Sequence, residues 1–141
     1  MRALLDTCVI LDVLQKREPF FSDSHLIFLE AANCRFAGSI TANSVTDIYY
    51  LMHKYLHDDA TSRQAIAALF KLFSVLDTTE LDCRKALLSS VAEFEDALMI
   101  ETAIRSDCDC IVTRNIRDYA PSRLPVYAPE RFLTILRSGA E

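Results

Sequence analysis

Short, fully apolar runs alternate along the chain with longer stretches in which apolar residues recur every three or four positions. Ala3 to Leu5, closed by Asp6, reads as a buried strand, and Thr7 with the apolar run Cys8 to Leu14 as the helix after it. Arg17-Glu18-Pro19 breaks the pattern. An amphipathic helix is predicted over Ser22 to Ala32 and a strand over Arg35 to Ile40. Ile48, Leu51, Met52 and Tyr55 place a helix over Ser44 to Tyr55, with Ser44-Val45-Thr46-Asp47 resembling a capping box. Another helix is expected over Thr61 to Phe73, opened by Thr61 or Ser62, with a short strand at Val75-Leu76. Helices over Leu81 to Val91 and Glu95 to Ser106 follow, then strands at Cys110 to Thr113 and Pro125 to Tyr127. Pro129 opens a last helix that runs to Arg137, with Gly139 near its end.

Apolar strands of three to six residues, alternating with helices, point to an open parallel sheet covered on both faces. No repeat, linker or low-complexity stretch interrupts the pattern, and 141 residues suit one domain spanning residues 1–141. Half the residues are apolar (51%), and only two are Gly and four Pro, which excludes disordered and fibrous classes. The five cysteines, Cys8, Cys34, Cys83, Cys108 and Cys110, are odd in number and scattered, so reduced thiols in a cytoplasmic protein are expected. Met1 to Leu5 is too short an apolar start for a secretory leader, and no apolar run approaches a membrane span.

A net charge of −5 argues against a non-specific coat for DNA or anionic lipid. It leaves room for a nucleic-acid enzyme, because acids gathered around cations raise the negative count without repelling the substrate. Four acids stand where an open parallel sheet places ligands: Asp6 at the end of the first strand, Asp47 in the first turn after the second, Asp96 in the first turn of the helix before the fourth, and Asp118 in the loop after Thr113. Taken singly, each has a structural explanation as a helix cap, a first-turn acid or a turn residue. Together they suggest more. Asp6 sits among Leu4, Leu5, Val9 and Ile10, and Asp96 among Phe94, Ala97 and Leu98, where an uncompensated charge is costly. Mg²⁺ or Mn²⁺ would compensate several carboxylates at once, and such a cluster open to water suits phosphodiester hydrolysis.

Four segments carry a resemblance: Leu4-Leu5-Asp6-Thr7-Cys8-Val9-Ile10-Leu11-Asp12, Thr41-Ala42-Asn43-Ser44-Val45-Thr46-Asp47-Ile48-Tyr49-Tyr50, Phe94-Glu95-Asp96-Ala97-Leu98, and Ile111-Val112-Thr113-Arg114-Asn115-Ile116-Arg117-Asp118-Tyr119. In order and spacing they resemble the successive motifs of a PIN domain, and most of all the VapC-like toxins of type II toxin-antitoxin pairs. The resemblance implies a three-layer α/β/α sandwich with a mainly parallel sheet of four to five short strands. It also implies a Mg²⁺- or Mn²⁺-dependent endoribonuclease that leaves a 5′-phosphate and a 3′-hydroxyl. Carried over by position, Asp6 and Asp96 become metal-binding acids, and Asp47 stands where the family usually has Glu. Asp118 or Asn115 fills the fourth position. Thr7, Thr113, Arg114 and Asn115 become supporting or substrate-orienting groups, with Arg114 and Arg117 as candidates to hold RNA phosphates. A cognate antitoxin and a homodimer are expected on the same ground.

Other readings fit the residues less well. A receiver domain needs an adjacent acid pair and a late Lys, and a phosphatase of the Asp-x-Asp kind needs a second acid beyond Asp6-Thr7-Cys8. His53 and His57 have the spacing of a zinc pair without the Glu of the metalloprotease motif, and His25 reads as a helix-surface residue. Cys108-Asp109-Cys110 is one residue short of a metal or redox pair. The alternative that survives is a catalytically silent PIN-like module that binds RNA or protein, kept alive by Asp at 47 and Asn at 115.

Overall fold

The computed structural model describes residues 1–139; Ala140 and Glu141, which the one-domain expectation includes, lie outside them. Five strands form one parallel sheet: β1 (Arg2–Leu5), β2 (Ala37–Thr41), β3 (Ser74–Leu76), β4 (Cys110–Val112) and β5 (Val126–Tyr127), in the spatial order β3-β2-β1-β4-β5. Among the described residues seven helices join or follow them: α1 (Thr7–Leu14), α2 (Phe21–Ala32), α3 (Ala42–Leu56), α4 (Asp59–Leu72), α5 (Glu80–Leu87), α6 (Phe94–Arg105) and α7 (Pro129–Ser138). A 3₁₀ turn at Ile116–Tyr119, absent from the sequence reading, links β4 to β5.

Side-chain alternation explains why the strands read as continuous apolar runs. Ala3 and Leu5 of β1, with Cys110 and Val112 of β4, face one core, built with Val9, Ile10, Ile27, Ile48 and Phe132. Leu4 and Ile111 face the other, built with Ala97, Ile100, Ala103 and Tyr119. The first core belongs to α1 to α4 and α7, the second to α5, α6 and the 3₁₀ turn, which gives the expected three-layer α/β/α sandwich. Gly38 on β2 is required by space rather than backbone freedom: a Cβ there would stand 2.7 Å from the Phe73 ring.

In three helices a side chain captures the backbone earlier than the apolar pattern shows. Thr41 Oγ1 accepts from the Ser44 N–H at 3.0 Å, so α3 opens at Ala42 and the expected Ser44–Asp47 box lies inside it. Asp58 caps Ala60 and opens α4 ahead of Thr61. A reciprocal box between Thr79 and Asp82 opens α5, which stops at Leu87 rather than Val91. Beyond it Ser89 Oγ takes the Val91 N–H at 3.1 Å and draws the backbone into a turn. The Gly139 cap of α7 lies in the left-handed region, φ 65°, as its place near the helix end suggests. All five cysteines are free, and among the described residues no helix is long and apolar enough to cross a membrane.

Candidate functional site

Strand order determines where the acids meet. From β1 the chain steps outward to β2 and β3, then returns to lay β4 on the other side of β1. At such a reversal the helices diverge and leave a crevice outside the carboxyl ends of the strands. Asp6 follows β1 and Thr113 follows β4, so the backbone delivers both to that crevice, and the Asp6 N–H donates to the Val112 carbonyl at 3.0 Å.

Asp6 occupies the N-cap position of α1, yet its carboxylate caps no backbone N–H of the helix. Its Oδ2 instead accepts from the Thr113 hydroxyl at 2.7 Å and from the Cys8 thiol at 3.6 Å. Thr113 is fully buried, and its Oγ1 in turn accepts the Asn115 N–H at 3.0 Å, which orients the hydroxyl proton toward Asp6. Burial, followed by the charge of Asp6, pushes the Cys8 thiol up to about 11, so it remains a protonated donor at neutral pH.

The opposite wall comes from α3 and α6. The Thr41 and Ser44 hydroxyls lie 2.8 Å apart, and both reach Met99 Sδ on α6, at 3.7 and 3.8 Å. This buried contact fixes the start of α3 against α6 and sets Asp47 across a cleft from Asp96. Because α3 opens at Ala42, Asp47 stands in its second turn, not the first, and serves as no cap. It is exposed on the cleft wall.

The cleft has a volume of about 360 Å³ and is lined by Asp6, Thr7, Asp47 and Asp96, together with Asn43, Tyr50 and Glu95. Asp118 lies exposed on the 3₁₀ turn outside that lining, near enough for its charge to act on Asp96. Burial raises the Asp96 carboxyl to about 6, and the charges of Asp6, Asp118 and Glu93 push in the same direction. Asn115 is exposed at the start of the 3₁₀ turn, and its side chain does not cap it.

Arg114 departs from expectation. Both arms of its guanidinium are taken by Asp12, which is fully buried on α1, and the group lies 3.9 Å from the centre of the Phe20 ring. It is a brace between α1 and the segment after β4, not a free cation for phosphate. Arg117 is exposed. His57 sits at the C-cap of α3 with φ 54°, outside the helical geometry a zinc pair with His53 needs, and Cys110 is a buried strand residue. His25, read as a surface residue, stacks on Phe21.

Two further residues of the quoted motifs, given no site role by the sequence, matter to the site. One is Asp12; the other is Tyr119, whose ring is 1% exposed and whose hydroxyl is buried without a hydrogen-bond partner. Asp6 and Asp96 both act on that hydroxyl electrostatically; burial, then these two charges, raise its pKa far above the usual phenol range. It therefore remains a donor. The spacing of Tyr119 from Asn115 gives the signal only once the 3₁₀ turn is known.

Among the described residues no three His, Cys, Asp or Glu side chains are already gathered as a ligand set for one ion. Two carboxylates, Asp6 and Asp96, are the donors this cleft offers most directly. That set matches Mg²⁺, which keeps several waters and uses one or two carboxylates, better than an all-protein cage. The burial and charge crowding that raise Asp96, and the poorly partnered Tyr119 hydroxyl, both mark a place where a cation and its water would supply what the side chains lack.

The family model described as "PIN domain" matches residues 2–117. No curated protein matches the chain. Among solved structures, a toxin-antitoxin complex from Klebsiella pneumoniae is 20% identical with a TM-score of 0.67, covering 90% of this chain and 97% of that one. VapBC2 from Rickettsia felis, bound to a DNA fragment from its promoter, is 14% identical with a TM-score of 0.66, covering 91% and 98%. FitAcB from Neisseria gonorrhoeae is 18% identical with a TM-score of 0.68, again covering 91% and 98%. At these identities the likeness is one of fold.

Proposed function

The chain belongs to the PIN domain family, and from that premise we propose that it is a metal-dependent endoribonuclease, the toxin of a type II toxin-antitoxin pair, acting in the cytoplasm. The observation that carries the reading is the meeting of Asp6 and Asp96 at the sheet reversal, where Asp118 adds a third charge and burial lifts Asp96 to about 6. Such an arrangement is poorly compensated by the protein alone and suits a divalent cation, Mg²⁺ or Mn²⁺.

When bound, the cation supplies a Lewis acid that makes water a nucleophile near neutral pH and offsets charge on the departing oxygen. Asp6 and Asp96 are the residues that hold it. Thr113 keeps Asp6 aimed into the cleft through its 2.7 Å hydrogen bond. Asp47 on the cleft wall and Asp118, whose charge reaches Asp96, add to the negative potential of the site, and Asp47, one methylene shorter than Glu, would act through water. Thr7, in the cleft lining, and Asn115, at the start of the 3₁₀ turn, are the groups proposed to orient the RNA backbone. Arg114 contributes by bracing the segment that carries Thr113 and Asn115, not by touching RNA.

A toxin-antitoxin complex among the structural neighbours supports an antitoxin partner; that this partner is a small protein covering the acid cleft, and that the chain forms a homodimer, belong to the same proposal. A second reading, a catalytically silent module that binds RNA or protein, draws support from the lack of a ready ligand trio among the described residues. Incubation of end-labelled RNA with the purified chain, with and without millimolar Mn²⁺, separates the two. Cleavage that needs Mn²⁺ and disappears in Asp6→Asn, with the circular dichroism spectrum unchanged, supports the nuclease. RNA retained but never cut supports the module, and cleavage undiminished by Asp6→Asn sinks the metal site.

A further inference from the structure

The Tyr119 hydroxyl is a buried donor with no acceptor in a protein whose other buried side chains are almost all paired; among the described residues only Ser24 and Thr78 share its condition. Like them Tyr119 lies outside the lining of the acid cleft, but two of the lining carboxylates, Asp6 and Asp96, act on its hydroxyl. Tyr119 is held by its ring, packed in the core beneath β1 and β4 with Leu4, Ile111, Ala97 and Ile100. Its oxygen lies close enough to Asp6 and Asp96 to interact weakly with each carboxylate, yet it reaches proper hydrogen-bond geometry with neither. Phenylalanine would fill the same volume without a buried polar atom. The hydroxyl therefore has a structural cost and little structural return in the cation-free fold.

Asp6 shows where the missing partner lies. Both of its side-chain donors, Thr113 and Cys8, bond to Oδ2. Asp96, on the other side, sits at the start of α6, the helix packed on the 3₁₀ turn that carries Tyr119. A cation drawing the two carboxylates together would bring acceptor lone pairs toward the hydroxyl between them. We propose that Tyr119 is a positioning residue, its hydroxyl donating to the Asp6 and Asp96 carboxylates when a divalent cation is bound and so fixing their aim at that cation. This rests on the metal reading of the preceding section and names a further residue of the same site. Groups that orient metal ligands in this way typically change affinity or activity 10- to 100-fold when removed.

The test is Tyr119→Phe, compared with the native chain in Mn²⁺ titration by calorimetry and, separately, in urea unfolding without metal. The expected result is a variant at least as stable as the native chain without metal, binding Mn²⁺ about tenfold more weakly, with slower RNA cleavage to match. Equal Mn²⁺ affinity overturns the proposal, because the hydroxyl is then merely an orphan. Loss of metal-free stability in step with affinity overturns it too, since the hydroxyl would then be a structural group, and a variant that does not fold counts the same way. If the native chain binds no Mn²⁺ at all, the metal reading itself fails and this inference falls with it, an outcome seen before any substitution is made.

Discussion

Asp12 and Arg114 form an ion pair that joins α1 to the segment after β4, with Asp12 fully buried and Arg114 bonding both of its oxygens, at 2.5 and 3.1 Å. The pair lies next to the site in the chain and braces both of its halves, since α1 begins just after Asp6 and Arg114 directly follows Thr113. Removing one partner strands the other charge in the interior. Arg114→Ala is expected to cost about 3 kcal/mol in urea unfolding. Arg114→Lys recovers little of it, because a point charge cannot reproduce a two-armed bond or lie flat on the Phe20 ring. Full stability of the Lys variant would show that charge alone suffices.

Thr113→Val keeps the shape of the buried side chain and deletes the donor to Asp6 Oδ2. The loss of a hydrogen bond to a charged acceptor is expected to lower stability by about 2 kcal/mol. Freed from its partner, Asp6 loses its aim, and Mn²⁺ affinity falls roughly tenfold or more. Calorimetric titration reads the affinity, and an unchanged isotherm would remove Thr113 from the site.

The pH dependence follows from Asp96. Its folded value, about 6, lies above the ordinary value of 3.8, so between these values the folded state holds a proton that the unfolded chain has released. The associated stability is complete below pH 3.8 and is lost as pH rises through 6, an effect on the order of 2 kcal/mol. In the cation-free protein, the stability of the native chain relative to Asp96→Asn should therefore fall between pH 4.5 and 7.5, measured by urea midpoints. A difference constant across that range would contradict the raised value. A cation must displace the same proton, so Mn²⁺ binding at pH 6 should release protons, visible as a calorimetric heat that changes with the buffer's ionisation enthalpy.

Gly38→Ala probes the fold rather than the chemistry. The added methyl meets the Phe73 ring at 2.7 Å and the Phe36 ring at 3.1 Å, so two packed aromatics must shift. Destabilisation of about 1 to 3 kcal/mol is expected in urea unfolding, with Mn²⁺ affinity retained because Gly38 lies at the far end of β2 from Thr41 and the cleft.

The residues that were legible in the sequence are those whose environment is local. Leu4, Leu5, Ile111 and Val112 are buried on both faces of a parallel sheet, and their unbroken apolar runs announce it. Asp6 and Asp96 stand out because they interrupt apolar surroundings at element boundaries. The parts that stayed hidden depend on partners far away in the chain. Arg114 reads as a free cation until Asp12, 102 positions earlier, is seen to hold it. Thr41 caps α3 by the same chemistry that made Ser44 look like the cap, and a single sequence offers no way to choose between neighbouring hydroxyls. The role of Tyr119 needs both the 3₁₀ turn and the two carboxylates in place.

The central claim is that Asp6 and Asp96 hold a catalytic cation, and the most direct measurement is anomalous diffraction from crystals soaked in millimolar Mn²⁺. A peak is expected between these two carboxylates at about 2.1 to 2.3 Å from their oxygens, absent from crystals of Asp96→Asn. An empty cleft at saturating Mn²⁺, or a peak that survives in Asp96→Asn, would contradict it.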